Sequence, residues 1–156
     1  KRKMIEFDVV AGTATAGIPH ATSLSNSLKT PLIYVRSTQK EHGMKNQIEG
    51  ILNTHQKVIV IEDLVSTGGS AHNAVNAVRE AGGTVDHCLC IFSYGFSSAI
   101  KKFKNIQCEL HELLSFNDLI SVAKKNNNLN AKQFSMLQSW HGDPFNWADK
   151  NGFLNT

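Results

Sequence analysis

The chain has 156 residues, of which 41% are apolar, and a formal net charge of +3. This length allows one domain with a buried core, and the mild positive charge suits a small anionic ligand better than a long nucleic acid. The sequence contains no basic run, no apolar stretch of about 18 residues and no signal-peptide segment. We therefore expect a cytoplasmic protein with no nucleic-acid partner and no membrane partner.

Short apolar runs rich in β-branched residues alternate with segments of helical periodicity. Strands are predicted at residues 8–11, 31–36, 58–61, 85–92 and 108–112. Helices, the last of them amphipathic, are predicted at residues 18–28, 70–81, 97–104, 117–125 and 131–140. This alternation predicts an α/β fold with a mostly parallel five-stranded sheet and helices on both faces. We expect residues 1–125 to form the ligand-binding core, with 126–156 as a C-terminal helix and tail packed on the same domain.

A loop of small residues follows the first predicted strand, where residues 12–17 read GTATAG. Its two glycines permit a tight turn, and Pro19 suits the first turn of the helix that follows. Backbone N–H groups at such a helix start can bind an anion. The same pattern is equally typical of a purely structural turn.

Residues 34–50, which read YVRSTQKEHGMKNQIEG, form a polar stretch between two predicted strands. The stretch contains the basic side chains Arg36, Lys40, His42 and Lys45. Taken alone, it indicates either a solvated loop or a set of cations that close over an anionic ligand.

The most informative segment is residues 58–70, which read VIVIEDLVSTGGS. Four β-branched residues predict a strand that is buried on both faces and ends at the carboxylates Glu62 and Asp63. The small residues 66–69 favour a tight phosphate-binding loop, and Ser70 is predicted to cap the next helix. Because carboxylates accept hydrogen bonds from vicinal hydroxyls, the segment fits a ribose 5-phosphate. A generic strand-to-helix turn is the structural alternative, whereas GxxxxGK[ST] and GxGxxG motifs are absent from the sequence.

The strand predicted at residues 85–92 is followed by Tyr94 and Gly95 in the segment IFSYGF. The Tyr94 ring is interpreted either as core packing or as a ligand contact at the strand end.

Cysteines and histidines are interpreted mainly as structural. Buried, reduced thiols are predicted for the three cysteines, which are Cys88, Cys90 and Cys108. The seven histidines form no HExxH motif or other metal pair in the sequence. A functional role is predicted only for His42, whereas the others, including His87 and His111, are interpreted as structural or surface residues.

Residues 58–70 resemble the phosphoribosyl pyrophosphate (PRPP) motif of the type I phosphoribosyltransferases, and residues 34–50 resemble the catalytic loop of the orotate phosphoribosyltransferase family. The resemblance implies the type I phosphoribosyltransferase fold. It implies that Glu62 and Asp63 hold the ribose hydroxyls and that backbone N–H groups of the first loop face the pyrophosphate. The implied PRPP-binding residues are Glu62, Asp63, Leu64, Val65, Ser66, Thr67, Gly68, Gly69, Ser70, Thr13, Ala14, Thr15 and Ala16.

The resemblance also implies catalytic and base-binding roles. Arg36, Lys40 and His42 would reach the pyrophosphate, with Asp63 as a further catalytic residue. Orotate would contact Ser66 and Tyr94. Mg²⁺ is the implied cofactor, without a direct protein ligand, and the implied assembly is a homodimer in which loop residues are shared across the interface.

Three positions depart from the family's pattern. Ser37 stands where many members carry a second Lys, Ala16 where some carry a Lys, and Tyr94 where some carry an Arg that pairs with the orotate carboxylate. Each departure removes one expected cationic contact.

The activity implied by the resemblance is that of a pentosyltransferase, which joins orotate to PRPP and releases orotidine 5-monophosphate and pyrophosphate in pyrimidine (UMP) biosynthesis. One alternative is a phosphoribosyltransferase for another base, although the KEHG sequence of the polar loop argues against a purine. The other is a non-catalytic PRPP-binding regulatory module, against which Lys40 and His42 argue, because a sensor needs no leaving-group cations.

The sequence reaches its first predicted strand almost at once, at Asp8. The family normally has preceding helices and a small hood over the orotate ring. We therefore expect either a fragment of a longer enzyme or a diverged protein that keeps the PRPP site without base recognition.

Overall fold

The structure, a computed structural model, describes residues 4–37 and 47–153. The strands in these ranges are β1 (Val9–Thr13), β2 (Leu32–Val35), β3 (Ile48–Glu49), β4 (Lys57–Val65), β5 (Thr84–Ser93) and β6 (Glu109–Ser115). The helices are α1 (Gly17–Leu28), α2 (Gly69–Glu80), α3 (Ser97–Asn105), α4 (Phe116–Lys125), α5 (Ala131–Gly142) and α6 (Trp147–Lys150).

The strands form one sheet in the order β3-β2-β1-β4-β5-β6. β1 pairs in parallel with β2 and β4, and β4 pairs in parallel with β5. Since the chain passes from β1 to β2 on one side and reaches β4 on the other, a topological switch point lies between β1 and β4. Ligands of open α/β sheets bind at such points, beyond the carboxyl ends of the strands.

The mostly parallel α/β sheet is confirmed, but the predicted number of five strands is wrong. The sixth strand is β3, whose two residues pair antiparallel with β2 through Tyr34 with Glu49 and Val35 with Ile48. Two residues are too few to show an alternating pattern in a sequence. β3 forms only because it pairs with β2, and local sequence does not reveal such a pairing.

Strand β4 extends beyond the predicted end at Ile61 and continues to Val65. Its register with β5 runs as far as Val65 opposite Ser93. The acidic residues Glu62 and Asp63 therefore lie within the strand and not in a loop after it. Ladder pairing with β5 extends the strand past the apolar run.

Alternate residues of the central strands pack on opposite faces of the sheet, as the pleat requires. Ala11 and Val60 belong to a cluster with residues of α2 and α3, whereas Val10 and Ile59 belong to a cluster with Ala21 of α1. The predicted helices on both faces are confirmed. Gly12 permits the close approach of α1, because a Cβ there would lie 2.9 Å from the Ala21 Cβ.

The chain divides into two compact units, Lys1–Leu113 and Leu114–Thr156. The first contains β1–β5 and α1–α3, and the second contains α4–α6. The sequence-based division after residue 125 was a different one, because it separated a ligand-binding core from a C-terminal tail. That division stays a prediction. Among the described residues, no helix is long and apolar enough to cross a membrane.

The prediction of buried, reduced thiols is confirmed for Cys88, Cys90 and Cys108, which are free and buried. Burial raises the pKa of Cys90 to about 12 and that of Cys108 to about 11. Neither thiol forms an appreciable amount of the nucleophilic thiolate near neutral pH.

Candidate active site

Thr13 and Glu62 meet at the switch point, where β1 and β4 carry side chains on the same face. The Thr13 hydroxyl lies 2.6 Å from Glu62 Oε1, and it also lies 3.2 Å from the Ile61 carbonyl oxygen. From the first turn of α2, the Ser70 hydroxyl donates to Glu62 Oε2 at 2.6 Å. One carboxylate therefore ties together the end of β1, the end of β4 and the start of α2.

Glu62 is 4% exposed, so its carboxylate has little contact with water. Burial raises the pKa of Glu62 above its usual value of 4.5, and the hydrogen bonds from Ser70 and Thr13 oppose this shift in part. The Asp63 backbone N–H also donates to Glu62 Oε1, at 3.2 Å. Buried carboxylates need such donors, because an unpaired one would be strongly destabilising.

The loop between β4 and α2 turns at Gly68, whose φ of 75° lies in the left-handed region that favours glycine. A Cβ at this position would also lie 3.3 Å from the Ala99 backbone. Gly68 is the N-cap residue and makes no side-chain capping bond, and α2 begins at Gly69. The prediction that Ser70 caps α2 is therefore wrong, since Ser70 lies inside the helix and its hydroxyl donates to Glu62.

Leu64 and Val65 were predicted to contact PRPP, and the structure gives them different environments. The Val65 side chain is 1% exposed and belongs to the core, whereas Leu64 is 41% exposed. The Val65 carbonyl oxygen accepts a hydrogen bond from the Tyr94 backbone N–H at 2.9 Å. A contact from Val65 to a ligand would consequently come from its main chain.

The loop between β1 and α1 supplies fewer backbone donors than predicted. The Ala14 N–H donates to the Val35 carbonyl oxygen at 2.8 Å, so that donor serves the sheet. The predicted contact from the Ala14 N–H to pyrophosphate is corrected accordingly. Helix α1 has Ala16 as its N-cap, which provides no side-chain capping bond. The contacts predicted for the N–H groups of Thr13, Thr15 and Ala16 stay predictions.

Gly17 permits α1 to begin directly against the Thr13 hydroxyl. A Cβ on Gly17 would lie 2.3 Å from Thr13 Oγ1 and 2.6 Å from the Ile61 carbonyl oxygen. Both distances are shorter than any normal contact, so only glycine fits here.

Arg36 lies just after β2 and faces β3, where its Nη1 atom is 3.5 Å from Glu49 Oε1. Beside it is a cavity of about 280 Å³ between the ends of β1 and β2 and the start of α2. Its lining residues are Thr13, Ala14, Val35, Arg36, Ser37, Ser70, Asn73 and Ala74. Lys40 and His42, which were predicted to act with Arg36, lie outside the described residues.

Tyr94 belongs to a row of three aromatic rings at the end of β5, the first of which, Phe92, lies within the strand. Its ring centroid is 5.3 Å from that of Phe92, in an edge-on arrangement, and 5.2 Å from that of Phe96, which is nearly parallel to it. The hydrogen bond to Val65 fixes the backbone of this segment beside the end of β4. The orotate contacts assigned to Ser66 and Tyr94 stay predictions.

Asn73 is a cavity-lining residue that sequence reasoning missed. It follows Ser70 by one helical turn, so both residues face the same side of α2. The i, i+3 spacing from Ser70 is the signal that could have identified it.

Comparisons with known proteins agree with this geometry. The phosphoribosyl transferase domain family matches residues 2–130. Orotate phosphoribosyltransferase of Staphylococcus saprophyticus is 49% identical over 135 residues, covering 86% of this chain and 66% of the relative. Orotate phosphoribosyltransferase of Listeria monocytogenes is 46% identical over 148 residues, covering 95% of this chain and 71% of the relative. The chain thus spans about two thirds of the length of these relatives.

Solved structures show the same likeness. Orotate phosphoribosyltransferase from Aeropyrum pernix superposes with a TM-score of 0.69 at 27% identity, covering 80% of this chain and 68% of the solved one. A Mycobacterium tuberculosis orotate phosphoribosyltransferase in complex with PRPP has a TM-score of 0.61 at 28% identity, covering 73% and 66% of the two chains. The chain belongs to the phosphoribosyl transferase domain family and, within it, to the orotate phosphoribosyltransferases.

Proposed function

We propose that this chain transfers the phosphoribosyl group of PRPP to orotate, which releases orotidine 5-monophosphate and pyrophosphate. The observation that carries the proposal is the double anchoring of Glu62 by Thr13 and Ser70. It joins two strand-to-helix turns at the switch point of the sheet. Two adjacent helix starts suit a ligand with phosphate groups at both ends.

In this proposal the 5-phosphate binds in the loop of residues 66–70, at the start of α2. No side chain caps this helix at Gly68, so phosphate oxygens can accept hydrogen bonds from its first N–H groups. The PRPP complex of the related M. tuberculosis enzyme supports PRPP as the ligand.

Glu62 and Asp63 are proposed to contact the ribose in different ways. The carboxylate of Glu62 orders Thr13 and Ser70. Its Oε1 already accepts from Thr13 and from the Asp63 N–H, so the acceptor capacity proposed for a hydroxyl is the second lone pair of Oε2, which accepts from Ser70. Asp63 is half-buried and lies close to the start of the loop that follows β4. We assign both to the 2- and 3-hydroxyls, with Asp63 as the more accessible acceptor.

The leaving pyrophosphate gains negative charge as its bond to the ribose C1 breaks and the bond from C1 to the orotate nitrogen forms. Arg36, Lys40 and His42 are proposed to stabilise that charge, with Lys40 and His42 serving the second subunit of a homodimer. Arg36 would exchange its 3.5 Å contact with Glu49 for the pyrophosphate. The rim of the cavity next to Arg36 and Ser37 would receive it.

Mg²⁺ fits the oxygen donors at this site. It binds carboxylates and phosphate oxygens and usually keeps several waters, so it can arrive on PRPP without a direct protein ligand. When bound, it would neutralise part of the charge on the pyrophosphate. Asp63 is the half-buried carboxylate beside the loop that could orient its waters.

Orotate is the proposed base because relatives at 45–49% identity are orotate phosphoribosyltransferases. Tyr94 and Ser66 follow neighbouring strand ends, where the base would lie against an aromatic ring.

The first test measures orotate consumption by ultraviolet absorbance with PRPP and Mg²⁺, and PRPP binding by calorimetry on the same preparation. The full-length Listeria relative is the positive control. We expect PRPP binding and orotate turnover by this chain. PRPP binding without turnover would overturn the proposed transferase activity in favour of a PRPP-binding regulatory module. Absence of both binding and turnover would overturn the proposed PRPP site.

Lys40→Ala tests the leaving-group role. Turnover should fall by roughly 100-fold or more while PRPP affinity changes little, because this contact strengthens mainly in the transition state. Lys45→Ala, in the same polar segment, is the matched control and should retain turnover. Equal losses of turnover and affinity in Lys40→Ala would refute the assigned role.

Asp63→Asn tests the ribose contact. The affinity for PRPP should fall, since a charged acceptor for hydroxyl groups is lost. Asp86→Asn, which changes a carboxylate near the start of β5, is the control. Unchanged PRPP affinity in Asp63→Asn would remove Asp63 from the ribose site.

A further inference from the structure

A second group of polar side chains lies on β5 and β6, outside the proposed active site. His87 Nδ1 is 3.1 Å from His111 Nε2, and Glu109 Oε2 is 3.6 Å from the first nitrogen and 3.8 Å from the second. These three atoms all lie within 4.8 Å of one another. The two histidines are separated by 24 residues in the chain.

The chemistry and spacing of this group match a transition-metal site. Two imidazole nitrogens and one carboxylate oxygen are a common ligand set for Zn²⁺. Metal–ligand bonds of about 2.0–2.1 Å in a tetrahedron place neighbouring ligand atoms roughly 3.3 Å apart. The observed separations of 3.1, 3.6 and 3.8 Å are close to that value, so small side-chain rotations would suffice.

The environment of the group permits metal entry. The side chains of His87, His111 and Glu109 are 20%, 30% and 51% exposed, so an ion and a water ligand can reach them. The backbone is already ordered, because His87 lies within β5, and both Glu109 and His111 lie within β6. Residues two apart on a strand share a face, which brings Glu109 and His111 to the same side.

We propose that His87, Glu109 and His111 bind a divalent transition metal such as Zn²⁺, with solvent as the fourth ligand. The site is separate from the PRPP site, since Ser93 at the end of β5 is six residues, or roughly 20 Å, from His87. Mg²⁺ prefers oxygen ligands and is not its ion. The metal would join the sheet's last strand, β6, to its neighbour β5.

Titration of the tag-free chain with Co²⁺ and Zn²⁺ tests this site, since tetrahedral Co²⁺ has characteristic visible absorption and Zn²⁺ should displace it. We expect one ion per chain and a Zn²⁺-dependent rise in Tm. Loss of a residue that only hydrogen-bonds to a metal ligand typically lowers metal affinity by roughly 10- to 100-fold. His87→Ala and His111→Ala each remove a ligand itself, so each should lower Zn²⁺ affinity by more than that. Glu109→Gln should weaken it by a smaller factor.

His20→Ala and Glu112→Gln are the matched controls, because His20 lies on α1 and Glu112 points to the other face of β6. Circular dichroism establishes that each variant is folded. If His87→Ala does not fold, His111→Gln on the outer strand replaces it as the decisive variant. Absence of a tetrahedral Co²⁺ spectrum, or equal affinity in the wild type and the histidine variants, would overturn the proposal.

Discussion

Helices α1 and α2 begin differently from helices α4 and α5. The N-caps of the first pair are Ala16 and Gly68, and neither makes a side-chain capping bond. Neither helix has an acidic residue in its first turn. Their first N–H groups are therefore not satisfied by their own N-cap side chains.

Helices α4 and α5 begin with complete capping boxes. The Ser115 hydroxyl accepts from the Asp118 N–H at 3.1 Å, and the Asn130 side-chain oxygen accepts from the Gln133 N–H at 2.9 Å. In both, the N3 side chain returns a bond to the N-cap backbone. These ends are satisfied by their own side chains.

Helices α4 and α5 are thus capped by their own side chains, whereas α1 and α2 are not. Under the proposed function, phosphate oxygens would supply the missing acceptors at α1 and α2. The N-termini of α1 and α2 are then held in place by contacts between residues distant in sequence, above all those of Glu62. Four experiments test this difference between the helix ends, in order of decreasing expected effect.

Thr13→Val removes one of the hydroxyl donors to the buried Glu62 carboxylate while keeping a β-branched strand residue. The free energy of unfolding should fall by about 1.5–3 kcal/mol, the usual range for a hydrogen bond to a charged group. Urea denaturation measures it. Thr84→Val is the control, since the Thr84 hydroxyl makes an exposed 3.3 Å bond. Equal effects of the two changes would mean that the Glu62 anchor is unimportant.

Gly17→Ala places a Cβ where Thr13 Oγ1 would lie 2.3 Å away. Displacing α1 should destabilise the protein by about 1–3 kcal/mol, as overpacking does, and should weaken PRPP binding. Gly69→Ala is the control for stability alone, because a Cβ there meets nothing within 4 Å. Denaturation and calorimetry give the two quantities, and a stable Gly17→Ala protein would contradict the close contact.

Asn130→Ala removes the cap of α5. Stability should fall by about 1 kcal/mol, the typical value for a lost N-cap, and PRPP affinity should not change. Asn128→Ala, at an exposed position two residues earlier, is the control for loss of an asparagine side chain. A reduced PRPP affinity in Asn130→Ala would contradict the prediction that the cap of α5 stabilises the fold without affecting the ligand site.

The pH dependence of stability should have opposite signs at Glu62 and Asp118. Burial raises the pKa of Glu62 above 4.5, so its contribution is fully present below that pH and is lost as pH rises through the folded pKa. Hydrogen bonds from Ser115 lower the pKa of Asp118 below 3.8, so its contribution is present above that pH and is lost as pH falls through the folded pKa.

Denaturation of Glu62→Gln and Asp118→Asn across this pH range measures both trends. Relative to wild type, Glu62→Gln should gain stability as pH rises, whereas Asp118→Asn should lose stability over the same rise. Parallel curves for a variant and the wild type would contradict the pKa shift assigned to that residue.

Local patterns predicted the strands and helices well where an element carries its own signal. The β-branched run at residues 58–61 identified the central strand, and the glycine-rich turn after it identified the start of α2 to within one residue. β3 gave no signal, because it has two residues and depends on β2 for its pairing. The end of β4 was missed for the same reason, since pairing with β5 extends it to Val65.

The candidate site was predicted as a set of residues but not as a set of contacts. Ser70 had the residue type and position of a cap, yet its hydroxyl donates to Glu62 instead. Ala14 was assigned to a ligand, yet its N–H pairs with Val35. In both cases the polar group forms a hydrogen bond with a residue in another part of the fold, and not the contact that the local pattern predicted.

Local sequence is sufficient to predict the alternation of strands and helices, the acidic residues of β4 and the glycine-rich turn after that strand, because periodicity and turn chemistry act over a few neighbouring residues. The hydrogen bond between Thr13 and Glu62, 49 positions apart, and the contact between His87 and His111, 24 positions apart, are visible only in the folded chain. Strand order and register create such contacts. A linear pattern does not contain them, since the energy that selects one register comes from packing the whole sheet.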